Sequence, residues 1–332
     1  MKKFSTTSLF ALIVLILVLF TSYDYWSTLK KADRQEAESK VIQLAKTEIE
    51  LIEVKTGDVK TGQSDVRQFK KENGIWKILK PVQESADQQI AMTYVDQLTN
   101  ERMSETVKEG ADLNLDLYGL KNPLFELNLK AGGASQNLKI GSIKAFDGSL
   151  YAQINDQNKV VLVSNAWDVI LSKPLADFRD KRLYRGPIKT EFSSLVVDGQ
   201  DARGPVHFQI VPSKDANGKE ASGWVLKGSS IKDQLAKGNI EAWIEQIKAL
   251  RGSTFSNSAS LISKADTLNT FKITLTSADL KTPTTIELFQ DKRNFDHYEA
   301  SGSDVPNQER LEYPVGGKSA RTAAAMRSPQ NS

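Results

Sequence analysis

Apolar and polar positions along the chain mark out an apolar head, a charged connector and a long body of alternating strand and helix patterns. Leu9 to Phe20 is wholly apolar, and no charge falls after Phe4 until Asp24. Thr6, Thr7 and Ser8 extend the run on one side. Tyr23, Tyr25 and Trp26 supply an interfacial belt on the other, so the stretch reaches the roughly 20 residues a spanning helix needs. No small-residue cleavage site follows it, and no cysteine is present to carry a lipid. The pattern therefore predicts an uncleaved transmembrane signal anchor over residues 1–26. Residues 27–46 are charged and free of Gly and Pro, with Glu36 and Lys40 as a favourable i,i+4 pair, and predict a helical stalk or linker.

The body repeats itself. "KTEIELIEVK" (46–55) matches "KTEFSSLVVD" (189–198), and "VRQFKKENGIWKILKP" (66–81) matches "VHFQIVPSKDANGKEASGWVLKG" (206–228). Each of the latter reads as a strand, an Asn-Gly turn and a strand entered through Gly and Trp. A two-residue turn at Asn73-Gly74 places Glu72 opposite Ile75, Lys71 opposite Trp76 and Phe69 opposite Ile78. An amphipathic helix follows each Trp. The first shows Ile90, Tyr94, Val95 and Leu98 on one face; the second shows Ile240, Trp243, Ile244, Ile247 and Leu250. Ser85-Ala86-Asp87-Gln88 fits a capping box for the first helix, Asn239 fits a cap for the second, and Gly252 fits its stop. Alternation returns in "NPLFELNLKAGGASQNLKIG" (122–141) and "NTFKITLTSADLKTPTTIELF" (269–289), with Phe125, Leu127 and Leu129 answered by Phe271, Ile273 and Leu275.

The fold class is therefore α+β: an N-terminal transmembrane helix, then two tandem duplicated units, each an antiparallel sheet with one amphipathic helix. The first repeat, with connecting helices, covers 47–188 and the second covers 189–314. Residues 315–332 offer little to bury and are expected to form a disordered tail. The expected core is Phe69, Trp76, Ile78, Tyr94, Leu98, Trp224, Leu226, Trp243 and Ile247. Because each Trp brings its own covering helix in both copies, Trp76 reads as a core residue rather than a ligand platform.

Composition removes several classes of function. Hydrophobic residues at 39% and charged residues at 26% describe a folded body. A net charge of +3, with basic residues scattered, is too small and too diffuse for nucleic-acid binding. The absence of cysteine excludes disulfides and thiol chemistry. Lys2 and Lys3 before the apolar head are balanced by Lys30, Lys31 and Arg34 after it. A short N-terminus ahead of a large domain has the form of an N-in anchor with the body extracytoplasmic.

Candidate chemistry is sparse. His207 and His297 fall at non-equivalent places in the two copies. "GGKS" (316–319) lacks the upstream glycine of a phosphate loop, since Glu312 stands there, and "AGGAS" (131–135) reads as a hairpin loop. Asp112 and Asp116 precede "LYGL" at loop positions and are the candidate pair for carboxylate hydrolysis. Arg179, Lys181, Arg182 and Arg185 cluster around Asp180, either as a partner contact or as a solvated helix end with cations near its C-terminal dipole.

The order of "NGIWKILKPVQESADQQ", "LYGLKNPLFELNLK", "LKIGS", "LYAQI" and "LADFRDKRL" resembles a bacterial domain-of-unknown-function family, the one numbered 4340. The likeness covers most of residues 60–255. It rests on Trp76, Pro81, Ala86-Asp87, Tyr118-Gly119-Leu120, Pro123, Ile140-Gly141 and the Arg179–Leu183 run. The resemblance implies a bacterial envelope protein, encoded in many genomes beside ABC-transporter and gliding-type auxiliary genes, and it implies no activity, cofactor or site residues. Together these readings predict a non-enzymatic, single-pass inner-membrane protein with no metal or cofactor. Its expected role is a partner-binding or substrate-guiding accessory of an ABC-type transport system. Its expected partners are the inner membrane and an ABC-transporter permease or auxiliary envelope protein. The alternatives are a cell-wall glycan or lipid binding module and a hydrolase using two carboxylates.

Overall fold

The structure is a computed structural model and describes residues 19–23, 25–26, 39–57, 64–187, 191–201, 204–214, 220–227, 237–256, 261–294, 297–305 and 309–313. Two units divide between Arg179 and Asp180, upstream of the boundary expected at 188/189.

In the first unit, strands β1 (Ile49–Gly57), β2 (Ser64–Glu72) and β3 (Ile75–Lys80) form a meander, followed by the two-residue strand β4 (Glu84–Ser85) and helix α1 (Gln88–Asn100). Then come β5 (Met103–Glu109), β6 (Phe125–Ala131), β7 (Ala134–Lys144), β8 (Leu150–Ile154) and β9 (Lys159–Val163). Two short helices, α2 (Ala166–Ser172) and α3 (Leu175–Phe178), close the unit. The nine strands make one antiparallel sheet in the order β4-β3-β2-β1-β6-β7-β8-β9-β5. Asn73 and Gly74 both take positive φ, 52° and 82°. That is the geometry a tight hairpin needs, and it sets Glu72 against Ile75, Lys71 against Trp76 and Phe69 against Ile78.

Alternation decides which face is buried. In β1, Ile52 and Val54 point into the core while Glu53 and Lys55 remain outside it; in β6, Phe125, Leu127 and Leu129 point inward. Helix α1 turns Ala91, Tyr94, Val95 and Leu98 onto this face. Its cap is Asp87, whose carboxylate accepts from the Ile90 amide at 3.1 Å, rather than Ser85. Gln88 has another use: its amide receives the Trp76 N–H at 2.8 Å and donates to the Trp76 carbonyl at 2.9 Å, extending the ladder beyond β4. Phe178 from α3 lies 4.7 Å from Phe69 and 4.8 Å from Tyr94, centroid to centroid.

Burial pushes the Tyr94 phenol well above its usual range, against a smaller opposing pull from Arg67. The unfolded chain releases this proton near pH 10 while the folded chain keeps it. The folded state then binds more protons, so this group's contribution to stability falls as pH rises above about 10. Tyr94→Phe is expected to flatten the alkaline decline in stability, read as the difference between denaturant midpoints of the two proteins from pH 9 to 11.

The second unit repeats the plan with β10 (Ser194–Asp201), β11 (Gly204–Lys214), β12 (Glu220–Leu226), helix α4 (Lys237–Lys248) and β13 (Thr254–Phe255). β14 (Thr267–Thr276), β15 (Thr284–Asp291), β16 (Tyr298–Gly302) and β17 (Leu311–Tyr313) complete it. The order β12-β11-β10-β14-β15-β16-β17-β13 matches β3-β2-β1-β6-β7-β8-β9-β5 strand for strand. Register agrees as well. Val54 opposite Leu127 corresponds to Val197 opposite Ile273, and Ile140 opposite Ala152 corresponds to Leu288 opposite Ala300. The lead-in segments correspond too: the Val41 amide donates to the Glu101 carbonyl at 3.1 Å, and the Leu183 amide to the Leu250 carbonyl at 3.0 Å. The second copy thus starts at its lead-in beside Asp180, which explains where the units divide. Asn239 lies inside α4, which begins at Lys237.

Among the described residues no helix is long and apolar enough to cross a membrane. The expected anchor falls largely on residues 1–18, and most of the stalk on 27–38; both lie outside the described residues, as does the tail at 315–332. What is described of the head, helical residues 19–23 and 25–26, falls short of the roughly 20 residues a span requires. The expectation is corrected accordingly. The α+β class with two antiparallel sheets stands, but the transmembrane signal anchor, the single-pass inner-membrane and periplasmic placement, and the membrane and ABC-permease partners have no spanning helix to rest on. The transporter-accessory role built on them is withdrawn.

Candidate functional site

Among the described residues, the helices cover one face of the first sheet and leave the other open. On that open face, Gln68 of β2, Glu53 of β1, Asn128 of β6 and Asn137 of β7 occupy directly paired positions on four neighbouring strands. They form one hydrogen-bonded row. Gln68 Nε2 donates to Glu53 Oε2 at 3.0 Å, Asn128 Nδ2 to Glu53 Oε1 at 3.5 Å, and Asn137 Nδ2 to Asn128 Oδ1 at 2.7 Å. The row lies in a depression of about 620 Å³, whose lining also includes Leu51, Lys130 and Asp156. Asn137 Oδ1 is buried and has no hydrogen-bond partner, so one acceptor in the row stays open.

A charged row runs beside it. Lys55 Nζ lies 3.7 Å from both Glu53 and Glu126, and Lys139 Nζ lies 2.6 Å from Asp156. Three cations, Lys55, Lys130 and Lys139, balance three anions, Glu53, Glu126 and Asp156. The equivalent row of the second sheet has the opposite signs: Asp198, Lys272 and Glu287 stand where Lys55, Glu126 and Lys139 stand. There Lys272 Nζ meets Glu287 at 3.0 Å and His207 Nδ1 meets Asp198 at 2.5 Å. The covered faces of the two copies keep apolar residues in matching register, and the open faces have diverged.

The basic cluster expected in the connecting segment ahead of the second repeat resolves into internal pairs. Arg179 pairs with the largely buried Glu84, its Nη2 lying 3.4 Å from Glu84 Oε2. Arg182 grips the buried Asp180 carboxylate through Nε at 3.0 Å and Nη2 at 2.7 Å. Arg185 reaches the Asp180 carbonyl with its guanidinium, and its amide donates to Asp304 Oδ2 at 2.9 Å. The Lys181 carbonyl accepts from the Gly252 amide at 2.9 Å. Arg179 is held within the first unit, while Arg182 and Arg185 organise the chain around Asp180 in the second.

The remaining candidates also have local partners. Asp112 and Asp116 each receive a lysine, Lys108 at 2.9 Å and Lys121 at 3.1 Å. The Lys108 ammonium holds the Asp112 carboxyl below the usual carboxylate range. The pair proposed for hydrolysis is thus two separate ion pairs. His297 Nδ1 lies 3.6 Å from Asp291, whose carboxyl the Arg293 amide and side chain hold below its usual range. Gly132 and Gly133 form the β6–β7 turn with positive φ, and "GGKS" lies outside the described residues. Of the expected core, Phe69, Trp76, Ile78, Tyr94, Leu98 and Ile247 are buried, while Trp224, Leu226 and Trp243 are half-buried.

Two of the motifs that carry the family likeness, Tyr118-Gly119-Leu120 and Ile140-Gly141, meet at one corner. A Cβ on Gly141 would lie 2.0 Å from the Tyr118 carbonyl oxygen, so the strand approaches Tyr118 closely only as glycine. Gly119 turns there with φ 67°, and the Tyr118 and Tyr151 rings meet edge to face at 5.0 Å. The pattern of the family described as Domain of unknown function (DUF4340) matches residues 76–266, more than half the chain. The chain belongs to this family. The DUF4340 match opens at Trp76 in the first unit and runs to Asp266 in the second, so it takes in parts of both copies. No curated protein and no solved structure matches the chain.

Sequence reading missed the open-face row. Its signal was available: Glu53, Gln68, Asn128 and Asn137 all sit at the outward parity of their strands, among inward Ile52, Phe69, Leu127 and Leu138. The register joining them depends on pairing between distant strands, which local pattern does not supply.

Proposed function

We propose that this DUF4340 chain is a non-catalytic binding module whose first unit receives an extended, net-neutral polypeptide segment on the open face of its sheet. The observation that supports this reading is the Gln68–Glu53–Asn128–Asn137 row, seated in its depression with Asn137 Oδ1 unpaired. Strands about 4.8 Å apart make such a row roughly 14 Å long, running across the strands. Carboxamides present donors and acceptors together, as peptide groups do. The balanced charge around the row favours a ligand without strong net charge. The described lining residues include no aromatic ring, so hydrogen bonding rather than stacking selects the ligand.

The test places a photo-crosslinking residue at Leu51 and maps the captured peptides by mass spectrometry. Crosslinks are expected to concentrate on one polypeptide segment and to fall about tenfold in Glu53→Ala/Asn137→Ala, with stability changed by only about 1 kcal/mol, as for outward-facing positions. Capture spread evenly over unrelated sequences, or unchanged in the variant, would overturn the reading. So would cleavage or other turnover of the captured peptide by the purified chain.

A further inference from the structure

One carboxylate sets the direction of the hydrogen bonds in the open-face row. A carboxylate only accepts, so each amide beside Glu53 must turn its NH2 group towards it. Gln68 Nε2 does so at 3.0 Å and Asn128 Nδ2 at 3.5 Å. Asn128 then presents its carbonyl oxygen to the next strand, and Asn137 Nδ2 donates to it at 2.7 Å. Glu126 Oε1 accepts from the same Asn137 NH2 group at 3.2 Å, so a second carboxylate enforces the same direction. The amide donors of the row are therefore used within it. The groups left at its two ends are acceptors, Gln68 Oε1 and Asn137 Oδ1, neither of which receives a hydrogen bond among the described residues. Asn137 Oδ1 is also shielded from solvent, so water does not satisfy it.

A cationic donor stands diagonally from this acceptor. Lys130 of β6 is exposed, lines the same depression and, unlike Lys55 and Lys139, has no ion-pair partner among the described residues. It lies opposite Ser135 of β7, two positions from Asn137, so Lys130 and Asn137 are diagonal neighbours on the open face. Such positions lie about 7–8 Å apart, within reach of a long side chain. The second unit lacks the whole arrangement. Val196 stands where Glu53 stands, Thr274 and Thr285 where Asn128 and Asn137 stand, and Thr276 where Lys130 stands. Gln209, the counterpart of Gln68, donates to Ser194 Oγ at 2.8 Å instead.

We infer that Asn137 and Lys130 together select a carboxamide side chain, Gln or Asn, in the extended segment bound by the first unit. The inference rests on the reading of the row as a peptide-binding face. The ligand NH2 group donates to Asn137 Oδ1, and the ligand carbonyl accepts from the Lys130 ammonium. Other side chains satisfy only one of the two partners or neither. A Glu carboxylate pairs with Lys130 but sets an acceptor against Asn137 Oδ1, beside the Glu126 carboxylate. A Lys ammonium donates to Asn137 Oδ1 but is brought against the Lys130 ammonium. A Met side chain leaves Asn137 Oδ1 unpaired, a loss that a shielded acceptor does not recover from solvent. Selection thus combines two matched hydrogen bonds with a repulsive element against each charged competitor.

The probes are capped peptides, acetyl-Thr-Ser-Thr-X-Thr-Ser-Thr-amide with X as Gln, Glu, Lys or Met, titrated into the isotope-labelled full chain. Binding is read from the backbone amide resonances of β6 and β7. The Gln peptide is expected to bind about tenfold more tightly than each of the others, equivalent to about 1.4 kcal/mol. Asn137→Ala and Lys130→Met each remove one side of the contact and are expected to bring the Gln peptide to the level of the Met peptide. Lys130 is exposed, so Lys130→Met carries the test should Asn137→Ala not fold. Equal binding of all the peptides would overturn the carboxamide selection and leave the peptide-binding reading in place. A Gln preference that survives both substitutions would overturn it too, because the selecting contact would lie elsewhere. Binding of none of them at millimolar concentration would overturn the peptide-binding reading and the inference with it.

Discussion

Trp76→Ala is expected to destabilise the first unit by about 3–5 kcal/mol, the range for deleting a large aromatic from a close-packed core. Trp76 is 3% exposed and lies in the cluster that joins Phe69, Tyr94 and Phe178. The backbone around it does not depend on the indole. Its N–H and carbonyl are held by the Gln88 side chain at 2.8 and 2.9 Å, and Asn73-Gly74 still sets the hairpin. The substitution therefore leaves the hairpin in place and opens a cavity under α1. Trp224→Ala provides the internal comparison. It occupies the same register position but is half-buried, so the expected loss is about 1–2 kcal/mol, the transfer value without a closed cavity. Chemical denaturation of the three proteins, followed by one probe in each unit, checks both figures. Equal losses at the two positions, or an unchanged curve for Trp76→Ala, would show that Trp76 does not serve as a core residue.

What could be read in the sequence was whatever is encoded at short range or twice. Asn73-Gly74 dictates its own turn and thereby the register of β2 with β3. The strand-turn-Gly-Trp-strand-helix order recurs, so even a diverged copy lacking the Asn-Gly spacing and the Pro of the first could be matched. What escaped notice depends on distant pairing. β5, "MSETVKE", has no clean alternation because it forms an exposed edge with two register shifts against β9, so nothing local announces that α1 carries the chain across to the far edge. The basic run at 179–185 reads as a surface patch until Glu84, ninety-five residues upstream of Arg179, and the buried Asp180 are placed beside it. The same holds for the unit boundary. The matched "KTE" motifs pointed to 189, but the repeat begins earlier, in lead-in segments whose only shared feature is a backbone bond to the end of the helix. The apolar head illustrates the opposite error: a strong local hydropathy signal was extended into a membrane topology and a transporter partner that no described helix supports.

Arg67→Ala is expected to cost about 2–4 kcal/mol, arising from carbonyls left without donors rather than from a lost ion pair. The Arg67 side chain is 6% exposed and its Nε lies 4.0 Å from Asp65, a loose pairing with a largely exposed side chain. Its close contacts are neutral: the Leu171 carbonyl at 2.5 Å, Thr56 Oγ1 at 3.0 Å and the Lys173 carbonyl. The last carbonyls of a helix have no partner within it and carry the negative end of its dipole, so a buried planar cation satisfies them by both hydrogen bonding and charge. Alanine removes the fork and leaves those oxygens facing a dry interior. Lysine keeps the charge but not the planar geometry, so Arg67→Lys is expected to recover less than half of the loss. Hydrogen exchange localises the effect. Amides of α2 should lose protection in Arg67→Ala more than those of α1, because α2 is the element whose C-terminus is released. Uniform loss across the sheet would mean that Arg67 supports the strand it sits on and not the helix it faces.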